Sequence, residues 1–402
     1  MNKKISLGAA VALVIIAMAL TVSVTMVVSM RQFNYKLSNV NQRQVMFDYI
    51  TEVDKAIRQH YVGEIKEEDL RTALAKGYLN GIGDPYAEYL TPAEYRKETE
   101  RLSGKWTGFG IEVSEQADGS AVVAVVHKNS AADKAGVQKG DVIVAMDSAD
   151  AGFSEVKAKL GSAEKVMLTV HRGEETIAFE LSASTYTVIS VESRMIDSVG
   201  YIRIRHFYSN TAEQFKEAMT SLEEQGAQSY LFDLRNNEGD VVDAAAEVVG
   251  MLLPRGTYAK RIENAGAVQE YVSTGSMELT KPSVTLINER TECGAELFAG
   301  VLQELKKTTV VGQQSTGHGT IQELYNVTSD GSAIRLSIAN LALISGGTIE
   351  GKGVAPETEV SLSEEQERRF PFLTEADDPQ MIAALGALKG GPVTTSTTVP
   401  AP

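Results

Sequence analysis

Residues 284–322 read V-T-L-I-N-E-R-T-E-C-G-A-E-L-F-A-G-V-L-Q-E-L-K-K-T-T-V-V-G-Q-Q-S-T-G-H-G-T-I-Q. Val284 to Ile287 is a short apolar run rich in β-branched residues and bounded by polar ones, the pattern of a buried strand. From Gly294 to Lys307 the apolar residues Leu297, Phe298, Val301, Leu302 and Leu305 recur at a helical period. Thr308 to Val311 reads as the next strand. The only cysteine of the chain, Cys293, therefore sits between a strand end and a helix N-terminus. A helix start favours anions, so a thiol there tends toward thiolate, the nucleophilic form. His318 and Gln322 follow in a Gly-rich loop, G-H-G-T-I-Q. A thiol, an imidazole and an amide are the parts of a nucleophile, a base and an orienting group. The plainer reading makes Cys293 a small buried hydrophobe and His318 a surface-loop residue, since spacing alone does not bring them together.

The rest of the chain sets the context. Its 402 residues, 43% hydrophobic and 23% charged, allow two or three folded domains. A net charge of −15 argues against nucleic acid as partner. One cysteine permits no intrachain disulfide. The five histidines (His60, His127, His171, His206 and His318) show no ligand spacing, so neither a metal nor another cofactor is expected. After Asn2-Lys3-Lys4 comes an uncharged run from Ile5 to Met30, long enough at about 1.5 Å per residue to cross a hydrocarbon core of roughly 30 Å. It is longer than a signal-peptide core and no small-residue cleavage site follows, so an N-terminal transmembrane helix is expected. A short cytoplasmic head then leaves the body of the chain outside the cell membrane. Residues 390–402 are rich in Thr and Pro and are expected to be disordered.

Between these ends, Val45, Met46, Tyr49, Ile50, Val53 and Ile57 mark an amphipathic helix that could pack on its own domain or on a second copy, making a homodimer. The phrase A-L-A-K-G-Y-L-N-G-I-G-D-P-Y-A-E-Y-L follows. Gly104 to Ser184 has a glycine-flanked opening, Gly108-Phe109-Gly110-Ile111, and then A-A-D-K-A-G-V-Q-K-G-D-V-I. Beyond it stand D-L-R-N-N-E-G-D (233–240), and D-G-S (330–332) with Gly347, Ile349, Gly351, Gly353, Val354 and Pro356. In order and spacing these phrases, with Asn288, Glu296, Ala299, Gly300, Gly312, Gly317, Gly319 and Gln322, resemble the carboxyl-terminal processing peptidases, or tail-specific proteases.

The resemblance implies an α/β protease core of the ClpP/crotonase-like type with an inserted β-rich PDZ domain. The expected organisation is an anchor over 1–31, a helical part of the core over 32–103, the PDZ domain over 104–184, a catalytic α/β domain over 185–377 and a C-terminal segment over 378–402. The implied PDZ carboxylate loop is Gly108, Phe109, Gly110 and Ile111, whose backbone N–H groups converge on a peptide C-terminus. The family's serine nucleophile falls on Cys293, its base lysine on His318 and its orienting glutamine on Gln322. Gly239 and Gly294 fall on its oxyanion-hole donors. Asp240 replaces a family glycine, and either opposes an oxyanion electrostatically or faces solvent at a helix start. The implied activity is a membrane-anchored peptidase that binds protein C-termini through the PDZ domain and cuts peptide bonds with a Cys/His dyad. The alternative is a catalytically inactive homologue acting as a PDZ peptide-binding or regulatory scaffold.

Overall fold

The computed structural model describes residues 43–390, together with Ala17, Met18, Thr21, Thr25 and Met26. Almost all of the expected membrane span and all of the Thr/Pro tail beyond Gly390 lie outside the described residues. Among the described residues no helix is long and apolar enough to cross a membrane. The chain divides into two compact units, one running to Ala73 and the other from Leu74 onward. The first holds helix α1 over 43–60, on which Val45, Tyr49, Val53 and Ile57 are exposed. Helix α2, Glu67–Ile82, begins there and ends in the second unit.

The second unit carries the candidate site. After strand β1, Glu88–Leu90, comes helix α3, Pro92–Leu102. Thr91 and Glu94 form its capping box, each side chain accepting from the other's backbone N–H, and Pro92 stands in the first turn where no N–H is needed.

The next strands are β2, Lys105–Gly108; β3, Ile111–Glu115; and β4, Ala121–Val126. Helix α4, Ala131–Ala135, leads to β5, Val142–Met146, and β6, Ala149–Asp150. Helix α5, Phe153–Ser162, precedes β7, Lys165–Arg172; β8, Glu175–Ser182; and β9, Ser184–Thr187. A sheet in the order β3-β4-β5-β7-β8 wraps a core that includes Phe109, Val123, Ile143, Val156 and Leu168. Entry strand β2 and exit strand β9 pair antiparallel, Lys105 with Thr187, which returns the chain to where it left.

The remaining elements alternate strand and helix, the pattern of parallel sheets. They are β10, Val191–Ile196; β11, Val199–Ile204; α6, Thr211–Glu224; β12, Ser229–Asp233; and α7, Val242–Leu252. A hairpin of β13, Thr257–Glu263, and β14, Val268–Val272, precedes β15, Ser283–Ile287. Then come α8, Cys293–Glu304; β16, Thr309–Gly312; β17, Thr320–Val327; and β18, Ser332–Leu343. Short β19, Thr358–Glu359, α9, Glu364–Arg368, and α10, Pro379–Leu388, finish the described chain. The main sheet runs β10-β11-β12-β15-β16-β19, parallel from β11 onward. Every residue of β12 and β15 is buried, as strands covered on both faces must be.

The core built around α6, α7 and α8 includes Phe215, Phe232, Val248 and Phe298. A second apolar cluster joins Met381 and Ala384 of α10 to Leu231, Leu286 and Val311. Helix α10 thus belongs to the same packed body as the sheet, although the sequence reading puts 378–402 beyond the catalytic domain. A second sheet, β1-β18-β13-β14 with β17 on β18, pairs β1, which precedes β2 in the chain, with β18 near the chain's end. The candidate site opens where the buried parallel strands β12 and β15 end, the usual place for ligands in such sheets.

Candidate active site

Two loops leave those strand ends and are tied to each other. Asn236 and Asn288 exchange hydrogen bonds, Asn236 N–H to Asn288 Oδ1 and Asn288 Nδ2 to Asn236 Oδ1, both at 2.9 Å. Thr291 Oγ1 donates to Leu234 O at 3.0 Å, and Glu292 N–H donates to Asn237 O at 2.9 Å. Beneath them Asp233, Arg235 and Asp378 form a buried ion-pair set, with Tyr201 Oη donating to Asp233 at 2.9 Å. Burial would raise the Asp233 carboxyl, but Arg235 beside it pulls it down to about 2.

Cys293 is the first residue of α8, with φ of 47°, in the left-handed region that non-glycine residues seldom occupy. Such strain is a recurrent feature of sites where a side chain must be aimed. The helix has no side-chain cap at Glu292. Instead Glu296, one turn in, receives the Cys293 N–H on Oε2 at 2.9 Å. The same oxygen accepts the His318 N–H at 2.8 Å. Its other oxygen accepts from Ser315 Oγ at 2.5 Å and Gly317 N–H at 2.7 Å. One buried carboxylate thereby fastens the head of α8 to the loop 315–318. Burial pushes its carboxyl up despite those four donors.

The thiol differs from the sequence expectation. Cys293 is buried, its Sγ donates to Thr320 O at 3.3 Å, and burial together with Glu296, Glu292 and Asp240 pushes the thiol well above its ordinary range. The Gly294 N–H opposes that shift but is outweighed. The helix-start argument fails because desolvation and three carboxylates outweigh the field of one helix end.

His318 and Cys293 line one cleft of about 690 Å³ together with Tyr86, Arg101, Asp240 and Glu292. The imidazole stacks on Tyr86 with ring centroids 3.8 Å apart and planes 2° from parallel. Its Nδ1 lies 3.6 Å from Glu292 Oε2. Its Nε2 is buried and has no hydrogen-bond partner. The dyad thus shares a cleft without a thiol–imidazole hydrogen bond.

Gln322 also lines the cleft, but its amide donates to Thr320 Oγ1 at 2.8 Å and to Ser337 Oγ at 3.2 Å. The expected orienting amide therefore braces the strand, and the groups touching the ring are Tyr86 and Glu292. A longer lysine would reach farther from the loop than this imidazole does.

The oxyanion donors are likewise rearranged. Gly239 has φ of 72°, and a Cβ there would stand 2.1 Å from Glu292 O, so only glycine fits between the loops. Its N–H, expected to face an oxyanion, donates to Asn237 Oδ1 at 2.8 Å. Gly294 packs directly on Gly239, its own Cβ position lying 2.6 Å from Gly239 O.

Asp240 neither faces solvent nor stands alone. Its side chain is 2% exposed, pairs with Arg101 of α3, and lies 3.4 Å from His206 Nδ1. Burial would raise this carboxyl, but His206 and Arg101 hold it below the usual carboxylate range. Arg101 also bonds Glu98 at 2.8 Å, and Arg335 bonds Glu98 at 2.6 Å and Glu88 at 2.9 Å. This chain of charges lines the cleft. Sequence periodicity gives no sign of it, because its members come from α3, β1, β18 and the loop after β12. Tyr86 and Glu292 were missed for a similar reason: stacking and ion-pair distance are tertiary facts.

The PDZ loop residues stand apart from the cleft. Phe109 is buried in the PDZ core, its carbonyl accepting from Ala132 N–H at 2.9 Å, while Gly110 O accepts from His127 N–H at 3.0 Å. Ile111 begins β3, whose Glu112 pairs with Arg205 of the core at 2.5 Å and with His127 at 2.9 Å. Among the described residues no cluster of His, Cys, Asp and Glu could hold a metal ion.

Residues 198–360 match peptidase family S41, and residues 107–182 match the PDZ domain. The carboxy-terminal processing protease CtpA of Bacillus subtilis is 28% identical over 337 residues, 81% of this chain and 71% of that one. The carboxyl-terminal-processing protease of Synechocystis is 29% identical over 351 residues, 83% and 81% of the two chains. In solved structures, a Bacteroides fragilis protein assigned to the S41 proteases shares the fold at a TM-score of 0.58 and 16% identity, over 78% of this chain and 90% of its own. The segment 198–360 is thus similar to peptidase family S41, with a segment similar to the PDZ domain, 107–182, carried ahead of it.

Proposed function

We propose that this protein is a membrane-anchored peptidase that takes protein C-termini on its PDZ domain and cuts peptide bonds with Cys293 and His318. The observation that carries the reading is the shared carboxylate. Glu296 Oε2 holds the backbone N–H of both Cys293 and His318, which sets the nucleophile and base positions on one cleft wall. The same four donors also stabilise the fold, since each buried donor left unmatched costs about 1–3 kcal/mol.

In the proposed cycle Sγ attacks the scissile carbonyl carbon while its proton passes to His318 Nε2. The carbonyl π pair moves to oxygen, and the Gly294 and Gly239 N–H groups receive it once Gly239 leaves Asn237. Collapse breaks the C–N bond, the Nε2 proton goes to the leaving amine, and a thioester remains on Cys293. Water then gives a proton to Nε2 and its oxygen to the carbonyl carbon. The C–S bond breaks and the thiolate takes the proton back.

The uncharged run 5–30 supports the anchor, with the PDZ and protease domains outside the cytoplasm. The exposed apolar residues of α1 suit a second copy of the chain. A scaffold that binds peptides without cutting them is the second reading, favoured by the Gly239 N–H bonded to Asn237 and by the protonated, buried thiol. The test compares cleavage of unstructured peptides with a free or amidated C-terminus, before and after alkylation of Cys293. Turnover of the free-ended peptides that disappears on alkylation supports the peptidase. Peptide binding with no turnover by the untreated protein leaves only the scaffold.

A further inference from the structure

Glu292 has no role in the reading so far, yet it touches the base. Its Oε2 lies 3.6 Å from His318 Nδ1, and its Oε1 lies 3.4 Å from Thr316 Oγ1. Thr316 Oγ1 also lies 2.7 Å from Glu289 O, and its N–H donates to Thr291 O at 3.2 Å. The Thr316 hydroxyl proton goes to the nearer Glu289 O, so Glu292 Oε1 lies beside the loop 315–318 while Oε2 faces the ring. Tyr86 covers a ring face at 3.8 Å, so the imidazole cannot turn out of its plane without losing that stack. The ring edge opposite Glu292 carries Nε2, buried and unpartnered. A buried ring nitrogen left empty is costly, and such atoms call for an explanation in function.

We propose that Glu292 is the positioning carboxylate of a Cys293–His318–Glu292 triad, filling the part that the family resemblance gives to Gln322. The proposal rests on the peptidase reading above. Glu292 Oε2 stands 3.6 Å from Nδ1, beyond a hydrogen bond, and on closing it would accept the Nδ1–H and fix the neutral tautomer with a free lone pair on Nε2. When Nε2 takes the Cys293 proton, the S–H bond breaks and the Nε2–H bond forms. The Nδ1–H stays on the ring, and the carboxylate charge stabilises the resulting imidazolium. The carboxylate comes from the residue just before the nucleophile, so a single turn of chain supplies the first and third members.

The experiment reads the ring directly. Protein labelled with ¹⁵N-histidine is examined by NMR in alkaline buffer, where the two ring nitrogens report the tautomer. The wild-type His318 signals are expected to show the Nδ1–H form. Glu292→Ala is expected to shift the population toward Nε2–H, Glu292→Asp to keep most of the original form, and Gln322→Ala to leave it unchanged. An unchanged tautomer in Glu292→Ala, or a change in Gln322→Ala instead, overturns the proposal whatever the peptidase assay shows. In the assay, Glu292→Ala is expected to lower kcat by up to about 10⁴-fold with KM nearly constant, the loss seen when a triad carboxylate is replaced. A tautomer shift in a protein that turns over no peptide would support the pairing and remove the peptidase reading, so the two failures are distinct.

Discussion

The loops after β12 and β15 leave neighbouring buried strands, enter helices and lie against each other, yet they are held in opposite ways. The β15 loop is held from within. Glu296, one turn into α8, collects the amides of Cys293, Gly317 and His318 and the hydroxyl of Ser315. The β12 loop is held from without. Asp240 is pinned by Arg101 from α3 and by His206, while inside the loop the Gly239 N–H is bonded to Asn237. The backbone of the nucleophile side is therefore fixed while its thiol is bonded to Thr320 O, and on the oxyanion side the Gly239 donor is occupied. The contrast separates two requirements of acyl transfer that a fully aligned site would show together.

The contrast is broken most severely at Glu296. Glu296→Ala leaves buried donors unpaired and opens space at the head of α8. Urea unfolding is expected to show a loss of about 3 kcal/mol or more, on a scale of about 1–3 kcal/mol for each buried group left unpaired. The next effect is Gly239→Ala, whose Cβ meets Glu292 O at 2.1 Å and whose φ of 72° suits glycine. A loss of about 1–3 kcal/mol is expected, together with loss of peptide turnover, and unfolding measured beside activity separates the two.

Asp240→Gly sharpens the comparison instead. Removing the carboxylate unlatches the β12 loop from Arg101, and kcat/KM is expected to rise about tenfold, a change of about 1.4 kcal/mol in barrier. Unchanged or lower turnover in a folded variant would mean that the latch is structural only. The Asp240 pair also carries a pH dependence. This carboxyl is held below its ordinary value in the folded state, so its contribution is present above the ordinary aspartate range and is lost as pH falls through the folded value. Asp240→Asn is expected to flatten that acid limb of stability, measured by thermal unfolding across acidic buffers. The smallest effect concerns the thiol. Because its folded value is raised, alkylation of Cys293 by iodoacetamide is expected to be slower than that of a free thiol near neutrality and to climb as pH rises.

Much of this framework is legible in the chain itself. The apolar run 284–287 and the period through Leu297, Phe298, Val301 and Leu302 give β15 to within one residue and α8 to within three, because buried strands and helices leave patterns in hydrophobicity. Helix α3 is less visible: its capping box at Thr91 and Glu94 is a local signal, but its surface is mostly polar and no residue in it is buried.

The site is legible in membership and not in state. Spacing and resemblance pick out Cys293, His318 and Gln322, which line one cleft, and Gly239, which packs against Glu292 and Gly294. They give no account of which partner each donor has chosen. The thiol's protonation depends on carboxylates at 240, 292 and 296, brought together by the fold. The Gln322 amide goes to Thr320 and Ser337 through a cross-strand contact between β17 and β18. Arg101 lies 139 positions from Asp240, a separation that no local pattern spans.

The most direct test mixes excess protein with a peptide p-nitroanilide, quenches with acid and maps the acyl group by mass spectrometry. The account expects the acyl group on the Cys293 peptide, absent from Cys293→Ala and strongly reduced in His318→Ala. Product released at the wild-type rate by Cys293→Ala, with no adduct on Cys293 in the wild type, would contradict it.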